Sequence, residues 1–411
     1  MPIRQPSAGT WLVRNEERGI VKQERRKKRA ITLAGGGPAA GLHIGALKAL
    51  EEAGIQFDVF ALSCVGAWVG IVYNTRLEQD AQGRGRADQT YHFFEKYCFR
   101  DDDSYEWFPL NRAFAPDFVA LWSTWTSFSL SPQNNWTKLI PSPAQMWGSF
   151  SRCVERWCKP GGPTQHDINI SIFNDLLAIN PWARFLTSMA CKSQMNGLAR
   201  VYYEDCPAVK EVFCSELLYA KDQPDIYHNA WRMRTDTEPG KIQIFHNRAK
   251  PADPKGYLKI TPKSLCACSA LPFILESVKI DGYEYTEGAL LDMVNFANLM
   301  RDHPDLDEVW VSRIVDHVQV RPARTLAGAL ANLPMQFAAE VGEDNIKVFR
   351  QKLLNQSFLR TRLVEIPINP RTELTFEWRH ANLHQGFTEG REAVLRLLAS
   401  HAELAADTVG G

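Results

Sequence analysis

The stretch "DVFALSCVGAWVG", Asp58 to Gly70, places one thiol, Cys64, where a buried strand runs into a helix. A cysteine at such a turn is a candidate nucleophile, because it already carries appreciable thiolate near neutral pH. The helix dipole and free N–H groups at a helix start are expected to lower its pKa further. The competing reading is a small apolar residue where two elements meet. A nucleophile elbow needs small residues two places either side of the reactive one. In Leu62-Ser63-Cys64-Val65-Gly66, Gly66 meets that need and Leu62 does not. Ser63 is one residue along the turn and is expected to point elsewhere.

A second chemical element lies upstream in "GGGPAA", where Gly35, Gly36 and Gly37 follow an apolar run. The pattern satisfies G-x-G-x-x-A, but a dinucleotide site also wants an acidic residue ending the second strand. That strand ends Leu62-Ser63-Cys64, which weakens the dinucleotide reading, and no G-K-[ST] follows the glycines, so the phosphate-loop reading fails. The other use for such a loop is an oxyanion hole, in which backbone N–H groups converge on one developing negative charge. Pro38 has no N–H and is excluded from that role.

Positioning these groups requires strand, turn, helix, strand, turn, helix. Ala30–Ala34 reads as a buried strand, about Ala39 to Ala53 as a helix with Gly54 as its cap, and Phe57–Leu62 as a second strand. That order is an α/β open-sheet beginning. Further strands are expected at Arg184–Ala190, Arg200–Tyr203, Lys241–Phe245, Glu308–Val315, "LVEIPI" and "LTFEW". Helices are expected at about Leu326–Asn355 and from about Thr388 to the end. Residues 101–160 hold half of the 12 tryptophans and read as a packed subdomain, a lid over an apolar substrate, or a lipid-facing patch. Lys22–Arg29, "KQERRKKR", reads as a solvated basic linker, with contact to an anionic surface as the alternative.

Composition sets limits. The formal net charge is +0, which gives no field favouring nucleic acid. Nine cysteines without regular spacing read as reduced thiols, and Cys266 and Cys268 form a C-x-C pair with no neighbouring histidine. The N-terminus lacks the apolar core of a signal peptide, and no run reaches bilayer-spanning length. A cytoplasmic protein is expected, peripheral at most to a membrane or lipid surface, with no metal and no cofactor.

"ITLAGGGPAAGLHIGALKALEEAGIQFDVFALSCVGAWVG" resembles the start of patatin-like lipid acyl hydrolases. Their second signature block is matched by "ACSALPFILESVKIDGYEYTEGALLDMV", with Ser269, Pro272, Gly282 and Tyr285 at the expected places. The resemblance implies a three-layer α/β fold with a mainly parallel central sheet. It covers residues 30–315 as a catalytic domain, with 101–160 as the insertion, 1–29 as a basic arm and 316–411 as an extension packed on the core.

The resemblance puts Cys64 at the position of the family's nucleophilic serine and Glu287 at that of its aspartate. The Asn expected near Met293 is missing, and the basic residue common after the glycines is Ala39. Each catalytic replacement keeps its chemical type, which argues for retained, altered function. The expectation is acyl hydrolysis or transfer on an ester or thioester, with Glu287 taking the thiol proton or orienting and deprotonating an incoming water or alcohol. Gly35, Gly36 and Gly37 form the oxyanion hole, and Gly66 supports the elbow. The alternative is an inactive protein that binds lipid or acyl groups. His43 is expected to be structural. The expected partners are the acyl substrate, a membrane or lipid granule, and a second copy of the chain, with no nucleic acid.

Overall fold

The structure is a computed structural model describing residues 25–107, 111–113, 115–116, 118–131, 139–192, 197–200, 205–214, 216–315, 320, 322–323, 326–355, 360–368 and 377–406. Most of the N-terminal arm, Trp136, Tyr203 and the first half of the expected "LTFEW" strand lie outside them. The chain forms two compact units, the smaller taking Pro116–Arg200 with Phe273–Glu276.

The larger unit begins with β1 (Arg29–Leu33), α1 (Ala40–Glu52), β2 (Val59–Leu62), α2 (Val65–Asn74) and α3 (Arg86–Tyr97). Its principal elements continue with β3 (Asp225–Arg232), β4 (Lys241–His246), β5 (Leu258–Lys259), α4 (Pro262–Cys268), β6 (Val278–Ile280) and β7 (Tyr283–Glu287). They close with α5 (Phe296–Asp302), β8 (Glu308–Ser312), α6 (Leu326–Asn355), β9 (Arg362–Glu365) and α7 (His380–Ser400). The strands make one mainly parallel sheet. Its order is β9-β8-β1-β2-β3, every neighbour parallel. Parallel strands covered on both faces need continuous apolar runs, and β1, β2 and β8 are buried along their whole lengths.

Beyond β3 the sheet turns antiparallel. The second half of β3 pairs with β7, and β7 pairs with β6 through a hairpin whose Asp281 and Gly282 both take positive φ, 49° and 83°. That is the turn an Asp-Gly pair favours.

The extension completes the sheet and clamps the first helix. β9 adds a parallel edge strand. The α7 backbone lies directly on that of α1: a Cβ on Gly45 would sit 1.9 Å from the Phe387 carbonyl oxygen, and one on Gly390 2.1 Å from that of Leu42. Four glycines, Gly41 and Gly45 facing Gly386 and Gly390, permit this approach.

The described part of the basic stretch is not a solvated linker. Arg25 pairs with Asp307, Arg26 with Asp58, Lys27 with Glu308 and Lys28 with Asp305. Arg29 is fully buried and binds Glu308 Oε2 through Nε at 2.9 Å. The acids stand where β2 and β8 begin, so these cations pin the sheet's edge of entry.

The smaller unit is mostly helical, with Phe128, Leu139 and Phe185 buried against Trp125 and Met189. The expected strand at Arg184–Ala190 is part of a helix, Pro181–Lys192. Trp182, Phe185, Leu186 and Met189 repeat at helical spacing, and only Phe185 of them is fully buried. The 101–160 stretch enters this unit at Pro116. Its helix Pro143–Trp157 starts with a capping box of Ser142 and Gln145. The same helix turns Trp147, Phe150 and Trp157 outward, at 71%, 59% and 49% exposure. Its polar side is held by buried Asp175, which binds Arg152 and Arg156. Among the described residues, no helix is long and apolar enough to cross a membrane.

Candidate active site

The strand β3 acts as a ruler for the site. Leu62, ending β2, pairs with His228, and Glu287, ending β7, pairs with Ala230. The two strands run toward each other along one edge of β3, and their ends meet at Asn229. Cys64 follows Leu62 by two residues, so the pairing brings Cys64 and Glu287 together.

Asn229 fastens the junction. Its Nδ2 donates to the Asp292 carbonyl at 2.8 Å, and its Oδ1 accepts from Ser63 Oγ at 3.2 Å. The Asp292 carbonyl is equally close to Ser63 Oγ, at 3.2 Å, so the two acceptors share its one proton. This hydroxyl is buried and ties the turn to β3 and to the loop at Asp292.

Cys64 caps α2 with φ 48° and ψ −122°. A β-carbon at such a φ is strained, and strain of this kind marks a tight strand-to-helix elbow. What holds it is the close seat of α2. A Cβ on Gly66 would lie 2.1 Å from the Leu33 carbonyl oxygen, so the helix start abuts the end of β1. Leu62, the residue out of place for an elbow, is fully buried and rests against Gly70 of α2, away from the turn.

The Cys64 thiol and the Glu287 carboxyl lie side by side, close enough for each to act on the other's protonation. Burial pushes its pKa well above the usual thiol value, and the charges of Glu287 and then Cys268 push the same way. The Val65 N–H works against them and loses. The lowering expected from the helix start is thus outweighed, because desolvation counts for more than a dipole here. Glu287 is 6% exposed, and burial raises its carboxyl to about 7, with Cys64 opposing. The pair is a thiol that burial keeps neutral next to a carboxyl that burial brings near neutrality.

The glycine loop adjoins this pair. A Cβ on Gly35 would come within 3.1 Å of Cys64 Cβ and 2.9 Å of Met293 Sδ. The Gly35 N–H already donates to that sulfur at 3.0 Å. Gly36 lies against Ile314 and Val315 past β8, and Gly37 takes a positive φ, 52°, that suits glycine. His43 is fully buried: one ring nitrogen binds the Ala34 carbonyl and the other the Ser312 hydroxyl, each at 2.8 Å. Burial lowers its pKa to about 4, so it stays neutral and steadies the residue before the glycines. Ser269 accepts a hydrogen bond from Trp68 Nε1 at 3.1 Å, and Tyr285 is buried against Phe245.

Three neighbours were not singled out in the sequence. Cys268, fully buried, accepts the Cys64 backbone N–H at 3.1 Å. Met293 occupies the Gly35 donor, and Asn345 of α6 accepts from the Met293 N–H at 2.9 Å. The only signal for Met293 was the missing asparagine nearby. Cys268 was visible as half of a C-x-C pair, but nothing in the spacing aimed it at a residue 204 positions away.

Among the described residues, no group of three or more His, Cys, Asp or Glu side chains is arranged to hold a metal ion. The model of the patatin-like phospholipase family matches residues 31–300. Among solved structures, VipD from Legionella pneumophila is similar at a TM-score of 0.31 and 13% identity, over 97% of this chain and 71% of that one. No curated protein matches.

Proposed function

The chain belongs to the patatin-like phospholipase family, and on that premise we propose that it is an acyl hydrolase or acyltransferase working through a covalent acyl-Cys64 intermediate. Family membership supports lipid acyl hydrolysis as the class of reaction. The observation that carries the finer reading is the placing of Cys64, on a strained elbow, beside a buried Glu287 whose carboxyl is raised to about 7.

In this reading Glu287 takes the thiol proton as Cys64 Sγ bonds to the carbonyl carbon of an ester or thioester. The carbonyl electrons move to oxygen, which the Gly35, Gly36 and Gly37 N–H groups receive once the Met293 sulfur has moved aside. Collapse expels the alcohol or thiol with the proton from Glu287. Glu287 then deprotonates water or an acceptor alcohol, which attacks the thioester and frees Cys64. The outward aromatic face of helix Pro143–Trp157 supports contact with a membrane or lipid granule.

The occupied Gly35 donor and the neutral thiol favour one other reading, a protein that holds an acyl group without turning it over. Intact mass after brief incubation with activated esters and acyl thioesters separates the two. An acyl adduct on wild type and none on Cys64→Ala is the expected result. No adduct across short and long chains, on folded protein, would leave the binding reading standing.

A further inference from the structure

Cys64 and Cys268 come from elements far apart in sequence, yet the Cys64 N–H rests on the Cys268 sulfur at 3.1 Å. With an N–Cα bond of about 1.46 Å, that sulfur lies within about 4.6 Å of Cys64 Cα. Three bonds, Cα–Cβ, Cβ–Sγ and Sγ–Sγ, span that gap in a disulfide. The two thiols differ in access. Cys64 is half-buried, whereas Cys268 is fully enclosed, so a dissolved oxidant reaches only the first. Cys266 is two residues earlier on α4 and therefore on the opposite face of that helix, beside Cys206. It is no rival for Cys64.

We propose that Cys64 is a site of reversible oxidation by hydroperoxides, with Cys268 as the thiol that resolves it into a Cys64–Cys268 disulfide. The inference rests on Cys64 being the reactive thiol of the function proposed above, and adds a regulation of that same site.

The chemistry balances in two steps. Cys64 sulfur attacks the peroxide, an S–O bond forms and the O–O bond breaks. The thiol proton passes through Glu287 to the leaving oxygen, giving Cys64 sulfenic acid and water or an alcohol. Cys268 sulfur then attacks Cys64 sulfur, an S–S bond forms and the S–O bond breaks. The Cys268 proton leaves with the hydroxide as a second water. Two thiols are oxidised by two electrons and one peroxide is reduced. The disulfide ties up the nucleophile and prevents the irreversible step to sulfinic acid. Reduction by an external thiol restores it.

The test treats the reduced full-length chain with hydrogen peroxide, alkylates it with N-ethylmaleimide under denaturing conditions, and maps the cysteines by mass spectrometry. Wild type is expected to lose two alkylatable thiols and yield one cross-linked peptide pair holding residues 64 and 268. Dithiothreitol should reverse this. In Cys268→Ser, Cys64 is expected to reach sulfinic acid, which dithiothreitol does not reverse, while Cys266→Ser still forms the disulfide. Sulfinic acid at Cys64 in wild type, or both residues still alkylatable, would overturn the proposal. Because the disulfide is read by mass, it can appear on a protein that never forms an acyl adduct. That outcome would sink the acyl-enzyme reading and leave the oxidation site standing.

Discussion

Glu287 is a carboxyl kept out of water beside a thiol, and both its reactivity and its cost follow from that placement. Its pKa of about 7 makes it a competent base only above neutrality, so acylation of Cys64 is expected to rise with pH through about 7. A pH series of adduct formation measures this, and a flat profile would remove Glu287 from the step. The stability consequence has the opposite direction. Burial lifts the carboxyl from 4.5, so the native state holds its proton where the unfolded chain has released it. Stability from this group is complete at low pH and falls as pH rises through about 7. At pH 8 the penalty is roughly 3 kcal/mol. Glu287→Gln is therefore expected to be inactive yet more stable by up to that amount at pH 8, with no gain near pH 4. Urea unfolding at the two values gives the comparison.

At the scale of elements, the paired ends of β2 and β7 on β3 bring Cys64 and Glu287 together, and glycine contacts set the helices. Gly45→Ala would push a methyl into the Phe387 carbonyl and separate α1 from α7. The expected loss is about 3 kcal/mol, at the severe end for overpacking, read as a shift of the denaturant midpoint. An unchanged midpoint would mean the helices part freely. The first crossover was legible because its signals are local: a continuous apolar strand, three glycines, a helical leucine pattern. The start of α7 was not. It begins at His380 rather than near Thr388, because Gly386 reads as loop chemistry while serving a close helix contact. The Cys64–Cys268 contact was equally hidden, since β3 and α4 create it across two hundred residues of chain.

For the whole molecule, the contrast between the two units is the informative feature. Among the described residues the larger exposes Trp107 and Phe337 singly, whereas the smaller shows solvent a stripe of Trp147, Phe150, Val154 and Trp157 on one helix. Basic residues outnumber acidic ones over residues 116–200. Tryptophan on an amphipathic face prefers the boundary between water and lipid. Replacing Trp147, Phe150 and Trp157 together by alanine is expected to weaken co-sedimentation with anionic vesicles at least ~10-fold, with each buried aromatic supplying on the order of 1 kcal/mol. Acylation by a water-soluble ester should persist. Equal sedimentation of the two proteins would show that this face has another use.

The clasp between the first and last long helices has a consequence for how the protein is made. While a ribosome is still adding residues, α1 has emerged but the surface that fits Gly41 and Gly45 has not. That surface is completed only when Gly390 leaves the exit tunnel. Contacts of such long sequence separation form late. Through all of that stretch α1 stands without the backbone it packs against.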